Sequence, residues 1–99
     1  MNGTSKELAQ RIADRIRLVR LTHEWSQVEV AARAGVAVDT YRLFERTGKI
    51  SLERLLRVAI ALHRSRDFEL LLVPAEIRSI DDLEEAKRPA RKRGRSTTA

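Results

Sequence analysis

The sequence predicts an all-α protein, a compact bundle of four to five short helices followed by a C-terminal extension. Three observations lead there. Apolar residues return every three or four positions, as in Leu8, Ile12, Ile16 and Val19, the spacing that sets side chains on one face of a helix. Serines stand just before such stretches, at Ser26 and Ser51, where a hydroxyl satisfies the backbone N–H groups that a helix start leaves open. The 99 residues hold only four glycines and two prolines, and Gly35 and Gly48 fall where the periodic stretches break.

The elements follow in order. The first helix is predicted from about Ser5 to Thr22, with Leu8, Ile12, Ile16 and Val19 inward. Ser26 and Glu29 form S-x-x-E, a capping box that starts a second helix. Val30 and Ala31 are its core side, and the small Ala31, Ala32 and Ala34 admit a close neighbour. Gly35 ends it, because glycine takes the left-handed backbone that a sharp corner requires. A third helix spans about Val38 to Arg46 and stops at Gly48, with Tyr41 and Phe44 on its inner face. Ser51 opens a fourth, Leu52 to His63, with Leu52, Leu55, Leu56, Ala59 and Leu62 inward. Ser65 is expected to cap a shorter fifth helix through Leu72, ended by Pro74. Ser79 and Asp82 mark a last short helix to about Lys87, and beyond Pro89 the composition predicts disorder. The expected divisions are 1-73 for the helical bundle, 74-87 for an acidic helical extension and 88-99 for a basic disordered tail.

The net charge of +6 is unevenly spread. Residues 1–64 carry 12 Lys/Arg against 7 Asp/Glu, residues 65–86 carry 2 against 7, and residues 87–99 carry 6 against none. A basic front and a basic tail around an acidic middle point to nucleic acid for the two basic zones, although a solvated surface and a loose tail would show the same charge. The absence of cysteine excludes disulfides and accords with a reducing compartment. Met1–Lys6 is polar, so no signal peptide is expected. The longest apolar run, Phe68–Val73, is interrupted by Glu69 and is far short of the roughly 20 residues of a membrane helix. A cytoplasmic protein without a membrane partner is therefore expected. His23 and His63 are far apart in sequence and lack cysteine neighbours, so no metal site is expected. No Ser-His-Asp arrangement, Gly-rich phosphate loop or carboxylate pair suggests catalysis or a cofactor; Asp81-Asp82 and Glu84-Glu85 read as a charged helix surface.

The two helices joined at Gly35 form a helix-turn-helix, and the residues around them resemble the Xre/Cro family, whose fold is lambda-repressor-like. Arg15-Ile16-Arg17, Ser26-Gln27, Val30-Ala31, Ala34-Gly35-Val36, Thr40, Glu45 and Gly48 carry the resemblance, over roughly Ala9 to Leu62. It implies a sequence-specific binder of double-stranded DNA that sits as a homodimer on an operator with two half-sites. It implies Gln27 as a phosphate clamp. It also implies a partly buried ion pair between Arg20 and Glu45, with some phosphate contact left to Arg20. Two positions depart from the pattern. Ala37 stands where the family places a capping Ser or Thr, and Leu43 where it often has Arg; here the arginine comes one residue earlier, as Arg42.

Physical reasoning gives each residue of the second and third helices a task. The start of the second helix offers free N–H groups and a partial positive charge to a phosphate, and Gln27 sits in that first turn. Helical geometry turns Val38, Asp39, Arg42 and Leu43 outward together, opposite Tyr41 and Phe44. Val38 and Leu43 can touch thymine methyls, Asp39 can accept from cytosine N4, and Arg42 can fork onto guanine. Thr40 offers a hydroxyl to phosphate or base, and Arg46 and Lys49 stand further along, where the duplex backbone would pass. Asp39 is repelled by phosphates, so the basic zones have to supply the missing attraction. The competing reading of so apolar a face is a protein-interaction module, with Val38 and Leu43 against a partner. Trp25 reads as core rather than as a stacking platform.

The match stops after His63. The C-terminal segment beyond it is similar to the extensions of HipB-type antitoxins, in "DFELLLVP", "IRSIDDLEEA" and the terminal "RPARKRGR". That likeness implies an autorepressor and antitoxin of a type II toxin–antitoxin operon, with a kinase-like toxin as partner; a phage or restriction-modification regulator is the alternative. Phe68, Leu70, Leu71, Leu72 and Val73 form a strip too apolar to stay exposed on a small monomer and are assigned to dimerisation. Arg88, Arg91, Lys92, Arg93 and Arg95, with no acidic residue among them, are assigned to nucleic-acid contact by the tail.

Overall fold

Helix starts and helix ends set this architecture, the starts through side-chain caps and the ends through left-handed residues. The computed structural model describes residues 3–75, which form five helices: α1 (Ser5–Thr22), α2 (Gln27–Ala34), α3 (Val38–Thr47), α4 (Leu52–Ala61) and α5 (Ser65–Glu69). A first structural unit runs to Phe68 and a second begins at Glu69. In the first unit α1 packs on α3, and α2 packs on both α3 and α4. The acidic helix expected from Ser79 and the basic tail lie outside the described residues.

Reciprocal caps open α1 and α2. Thr4 Oγ1 accepts from Glu7 N at 3.1 Å while Glu7 Oε1 accepts from Thr4 N at 3.1 Å. Ser26 and Glu29 repeat the arrangement at 3.0 Å in each direction. Ser51 Oγ accepts from Arg54 N at 3.1 Å and starts α4. Each such cap stabilises its helix by about 1 kcal/mol. Ala37 precedes α3 with no side-chain cap at all.

The helix ends are less predictable from sequence. Gly35 and Gly48 take φ of 70° and 82° at the ends of α2 and α3, as expected of glycine there. α1 and α4 also end with a left-handed residue, and neither is glycine. Glu24 has φ 62°, with Trp25 N–H donating to Arg20 O at 3.4 Å; His63 has φ 64°, with Arg64 N–H donating to Ala59 O at 2.8 Å. These are Schellman turns, held at a cost of about 1–2 kcal/mol for a residue with a Cβ.

The core is built from Ala13 and Ile16 of α1, Val30 and Ala31 of α2, Tyr41 and Phe44 of α3, and Leu55, Val58, Ala59 and Leu62 at α4, with Val36 of the corner. Full burial of a Val, Leu or Phe side chain contributes about 1.5–3 kcal/mol each. Two expected faces are corrected. Leu8 is 50% exposed. Successive steps of four residues drift about 40° around a helix of 3.6 residues per turn, so Leu8 has rotated well away from the line Ala13, Ile16, Arg20 that does go inside. On α4, Leu52 stands at the open first turn of the helix and is 64% exposed, and Leu56 is half-buried. The buried line of α4 runs through Val58 instead, a residue absent from the expected face.

The fifth helix also differs. Ser65 lies inside it rather than capping it, and it stops at Glu69 instead of reaching Leu72. Leu72 takes φ 61°, and Val73 N–H donates to Leu70 O at 3.3 Å in a turn; helical hydrogen bonding ends well before Pro74. Phe68 packs against the core, which removes it from the strip assigned to dimerisation. Leu71 and Leu72 are 56% and 87% exposed.

Candidate nucleic-acid interface

Between α2 and α3 the chain turns in three residues. Gly35 supplies the left-handed step, buried Val36 anchors the corner, and Ala37 leads into α3. The corner fixes how the start of α2 and the outer face of α3 stand together.

On α3, Tyr41 and Phe44 are fully buried, so Asp39, Arg42, Leu43 and Arg46 are turned to solvent, with Lys49 exposed beyond the helix end. Asp39 and Arg42 approach to 3.8 Å, with side chains 95% and 48% exposed. An exposed pair of that length is worth about 0–1 kcal/mol, so Arg42 stays available to another acceptor. Thr40 is half-buried. Val38 is corrected: it is half-buried and packs against the core. As the first residue of the helix it lies over the corner, where Val36 draws the chain inward. Of the two apolar residues expected on this face, Leu43 alone projects, at 38% exposure.

The capping box of α2 uses the N–H groups of Ser26 and Glu29. It leaves those of Gln27 and Val28, which point along the helix start as an anion site requires. Gln27 is itself held: its Nε2 donates to Glu45 Oε1 at 2.9 Å, leaving the second N–H of the amide and its carbonyl oxygen.

Glu45 is the hub behind this face. Arg20 Nε donates to its Oε2 at 2.8 Å and Arg20 Nη2 to its Oε1 at 3.0 Å, side-on. Tyr41 Oη donates to Oε2 as well. One carboxylate thus gathers donors from α1, α2 and α3. Arg20 spends its remaining branch on Trp25 O, from Nη1 at 2.9 Å, and is 8% exposed. The expected residual phosphate contact of Arg20 is therefore overturned: the guanidinium is enclosed and its donors are engaged inside the protein. Burial alone would push the Glu45 carboxyl up, but hydrogen bonds from Arg20, Tyr41 and Gln27 outweigh it and hold the group below its ordinary range. The hydrogen bond to Glu45 raises Arg20 above its already high value. Burial, and then the Glu45 carboxylate, push the Tyr41 phenol up.

Gln10 and Tyr41 are members of this network that the sequence alone does not assign. Gln10 Nε2 donates to Glu45 O at 3.2 Å and to Asp14 Oδ1 at 3.0 Å. Tyr41 carries a usable signal, because a phenol placed in a core needs a partner for its hydroxyl. Gln10 carries none.

Trp25 is half-buried and packs against the core. The His23 ring stacks on it at 4.5 Å, and the Arg33 guanidinium lies 4.2 Å from its ring centroid. The indole is thus already stacked against side chains of this chain. His23 and His63, far apart in sequence, are brought to 5.8 Å between ring centroids. Among the described residues no group of three or more His, Cys, Asp or Glu is gathered. No described helix is long and apolar enough to cross a membrane. The tail residues Arg88, Arg91, Lys92, Arg93 and Arg95 lie outside the described residues.

Two helices joined by a glycine corner, the first opened by a capping box and the second offering a charged outer face, define a helix-turn-helix DNA-binding domain. The family model described as helix-turn-helix matches residues 16–68, more than half of the chain. The chain belongs to this Xre/Cro-like helix-turn-helix family, and as such it is a DNA-binding transcriptional regulator. No curated protein matches the chain.

Proposed function

We propose that the protein binds an operator of two half-sites as a homodimer and represses its own promoter. The observation that carries this reading is the joint placement of Asp39, Arg42 and Leu43 on the α3 face beside the free N–H groups of Gln27 and Val28 at the start of α2. The first group can read base edges, and the second can hold a phosphate and set the register. Arg46 and Lys49 add backbone attraction. One recognition helix covers a few base pairs, so two copies about 34 Å apart on the duplex are needed for a useful site. Leu70 to Val73 is the strip we assign to pairing. The Leu71→Glu, Val73→Glu double variant is expected to sediment as a monomer and to lose operator affinity.

The test is a gel shift with the protein's own upstream DNA against random DNA at one fixed salt concentration. Equal binding to both would remove the sequence-specific reading. No binding to either would favour the protein-interaction reading, for which exposed Leu43 is the remaining support now that Val38 turns inward. The slope of affinity against salt, with and without residues 87–99, tells whether the basic tail lies on DNA, since each phosphate neutralised adds about 0.9 to it. The narrower role of antitoxin rests on the likeness of the C-terminal segment alone. A neighbouring gene for a kinase-like toxin that co-purifies with this protein would establish it.

A further inference from the structure

We propose that His23 and His63 form a two-imidazole site for a divalent first-row transition-metal cation of the Zn2+, Ni2+ or Cu2+ kind, on the surface where the ends of α1 and α4 meet. Neither residue has a part in the α3 face.

His23 is held in the tautomer of a ligand. Its Nε2 lies 3.1 Å from Leu62 O. A carbonyl oxygen can only accept, so Nε2 holds the ring proton and Nδ1 keeps a lone pair. An imidazole that donates its other N–H to a backbone carbonyl is the arrangement that metal-binding histidines use, because it fixes tautomer and ring orientation. Trp25 stacks on the same ring at 4.5 Å and 22°, which holds its plane.

His63 completes the pair. Among the described residues its ring makes no hydrogen bond, and it is exposed. It occupies a left-handed position, φ 64°, where glycine is the easy choice, and that backbone places its ring 5.8 Å from His23 at 45°. A metal at 2.0–2.1 Å from a ring nitrogen lies about 3.2 Å from the ring centroid, so two ligating imidazoles stand about 5.2 Å apart at the tetrahedral angle and at most about 6.4 Å apart. The observed spacing lies between these limits. Imidazole nitrogen suits zinc, nickel and copper rather than magnesium or calcium. With no cysteine and no third histidine in the chain, neither thiolate nor another imidazole competes, and water fills the remaining coordination positions. Such a cation would tie the end of α1 to the end of α4, and it would bind the folded state alone.

The experiment uses the full, untagged chain. Trp25 is its one tryptophan and already stacks on His23, so Cu2+ bound there should extinguish most of its emission, saturably and at one equivalent. Zn2+ should raise the thermal midpoint progressively with concentration, as any ligand of the folded state does. The His63→Gly variant keeps the fold, since glycine accepts φ 64° freely, and in it both responses should disappear. A parent protein that shows neither saturable quenching nor a rising midpoint would overturn the proposal. So would a His63→Gly variant that quenches and shifts as the parent does.

Discussion

Arg20 and Glu45, twenty-five residues apart, meet side-on with two hydrogen bonds of 2.8 and 3.0 Å, and their side chains are 9% and 6% exposed. This contact fastens α1 to α3 directly behind the outer face of α3. Through Gln27 it also orients the first turn of α2. A carboxylate so enclosed keeps its charge only because donors surround it. The joining of α1 to α3 and the setting of Gln27 at the start of α2 therefore share one carboxylate.

Removing one partner leaves the other charge buried and unpaired, which costs about 3–5 kcal/mol. Arg20→Ala and Glu45→Ala should each lower the unfolding free energy by that order, and the double variant should lose much less than the two losses added. A double-mutant cycle in urea measures the coupling. A value near zero would show that the two side chains act independently.

The same carboxylate sets an acid limb. Glu45 is held below its ordinary value of 4.5 by its donors, against the opposing effect of burial. A depressed folded-state value means that its contribution is fully present above the unfolded value and is lost as pH falls through the folded one. The urea midpoint of the parent should therefore fall steeply below about pH 4.5, and that of Glu45→Ala should fall less. Parallel acid profiles for the two proteins would place the acid sensitivity elsewhere.

Much of this was legible in the sequence because capping chemistry and glycine corners are local. Ser26 with Glu29, Ser51, Gly35 and Gly48 each announce an element boundary without reference to the rest of the chain. What stayed hidden depends on distant partners. The exposure of Leu8 and Leu52 is decided by which helix lies opposite. The left-handed end at Glu24 overrides local preference, and His63 takes a backbone where glycine is the easier choice. The closure of Arg20 away from solvent needs Trp25 O and Glu45 together. The meeting of His23 with His63 depends on how α4 returns to the end of α1.

The two corner glycines should respond differently to substitution. Both have positive φ, so alanine is strained by about 1–2 kcal/mol at either. At Gly35 an added Cβ would meet nothing within 4 Å, whereas at Gly48 it would lie 2.8 Å from the Ala9 carbonyl carbon. Gly48→Ala must in addition push α1 from α3, and should destabilise clearly more than Gly35→Ala in denaturant titration. Equal losses would mean that the α1–α3 contact yields freely.

Ala37 is an unfilled cap. Its φ of −61° and ψ of 140° are those of an N-cap residue, yet no side chain accepts from the first turn of α3. Ala37→Ser should stabilise the protein by about 0.5–2 kcal/mol, read as a higher denaturation midpoint with an unchanged slope. Its hydroxyl would satisfy α3 N–H groups. If those groups hold a phosphate in the complex, the variant will be more stable and bind DNA less tightly; unchanged affinity would show that the start of α3 does not contact the backbone.

On the outer face of α3 we assign base reading to Arg42 and Asp39, and backbone attraction to Arg46 and Lys49. Arg42 and Asp39 are exposed and only loosely paired at 3.8 Å, so each is free to meet a base edge. A good bidentate contact is worth about 1–3 kcal/mol of discrimination. Arg42→Ala should therefore weaken operator binding by that order while changing random-DNA binding much less. Asp39→Ala removes a charge that phosphates repel: it should tighten binding to random DNA, and it should relax preference at one base pair of the operator. Arg46→Ala and Lys49→Ala should weaken all sequences alike and reduce the salt slope by about 0.9 for each phosphate no longer neutralised. Competition gel shifts over a set of single-base operator variants distinguish the two behaviours. If Arg42→Ala and Asp39→Ala leave the ranking of those variants untouched, base recognition does not reside on this face of α3.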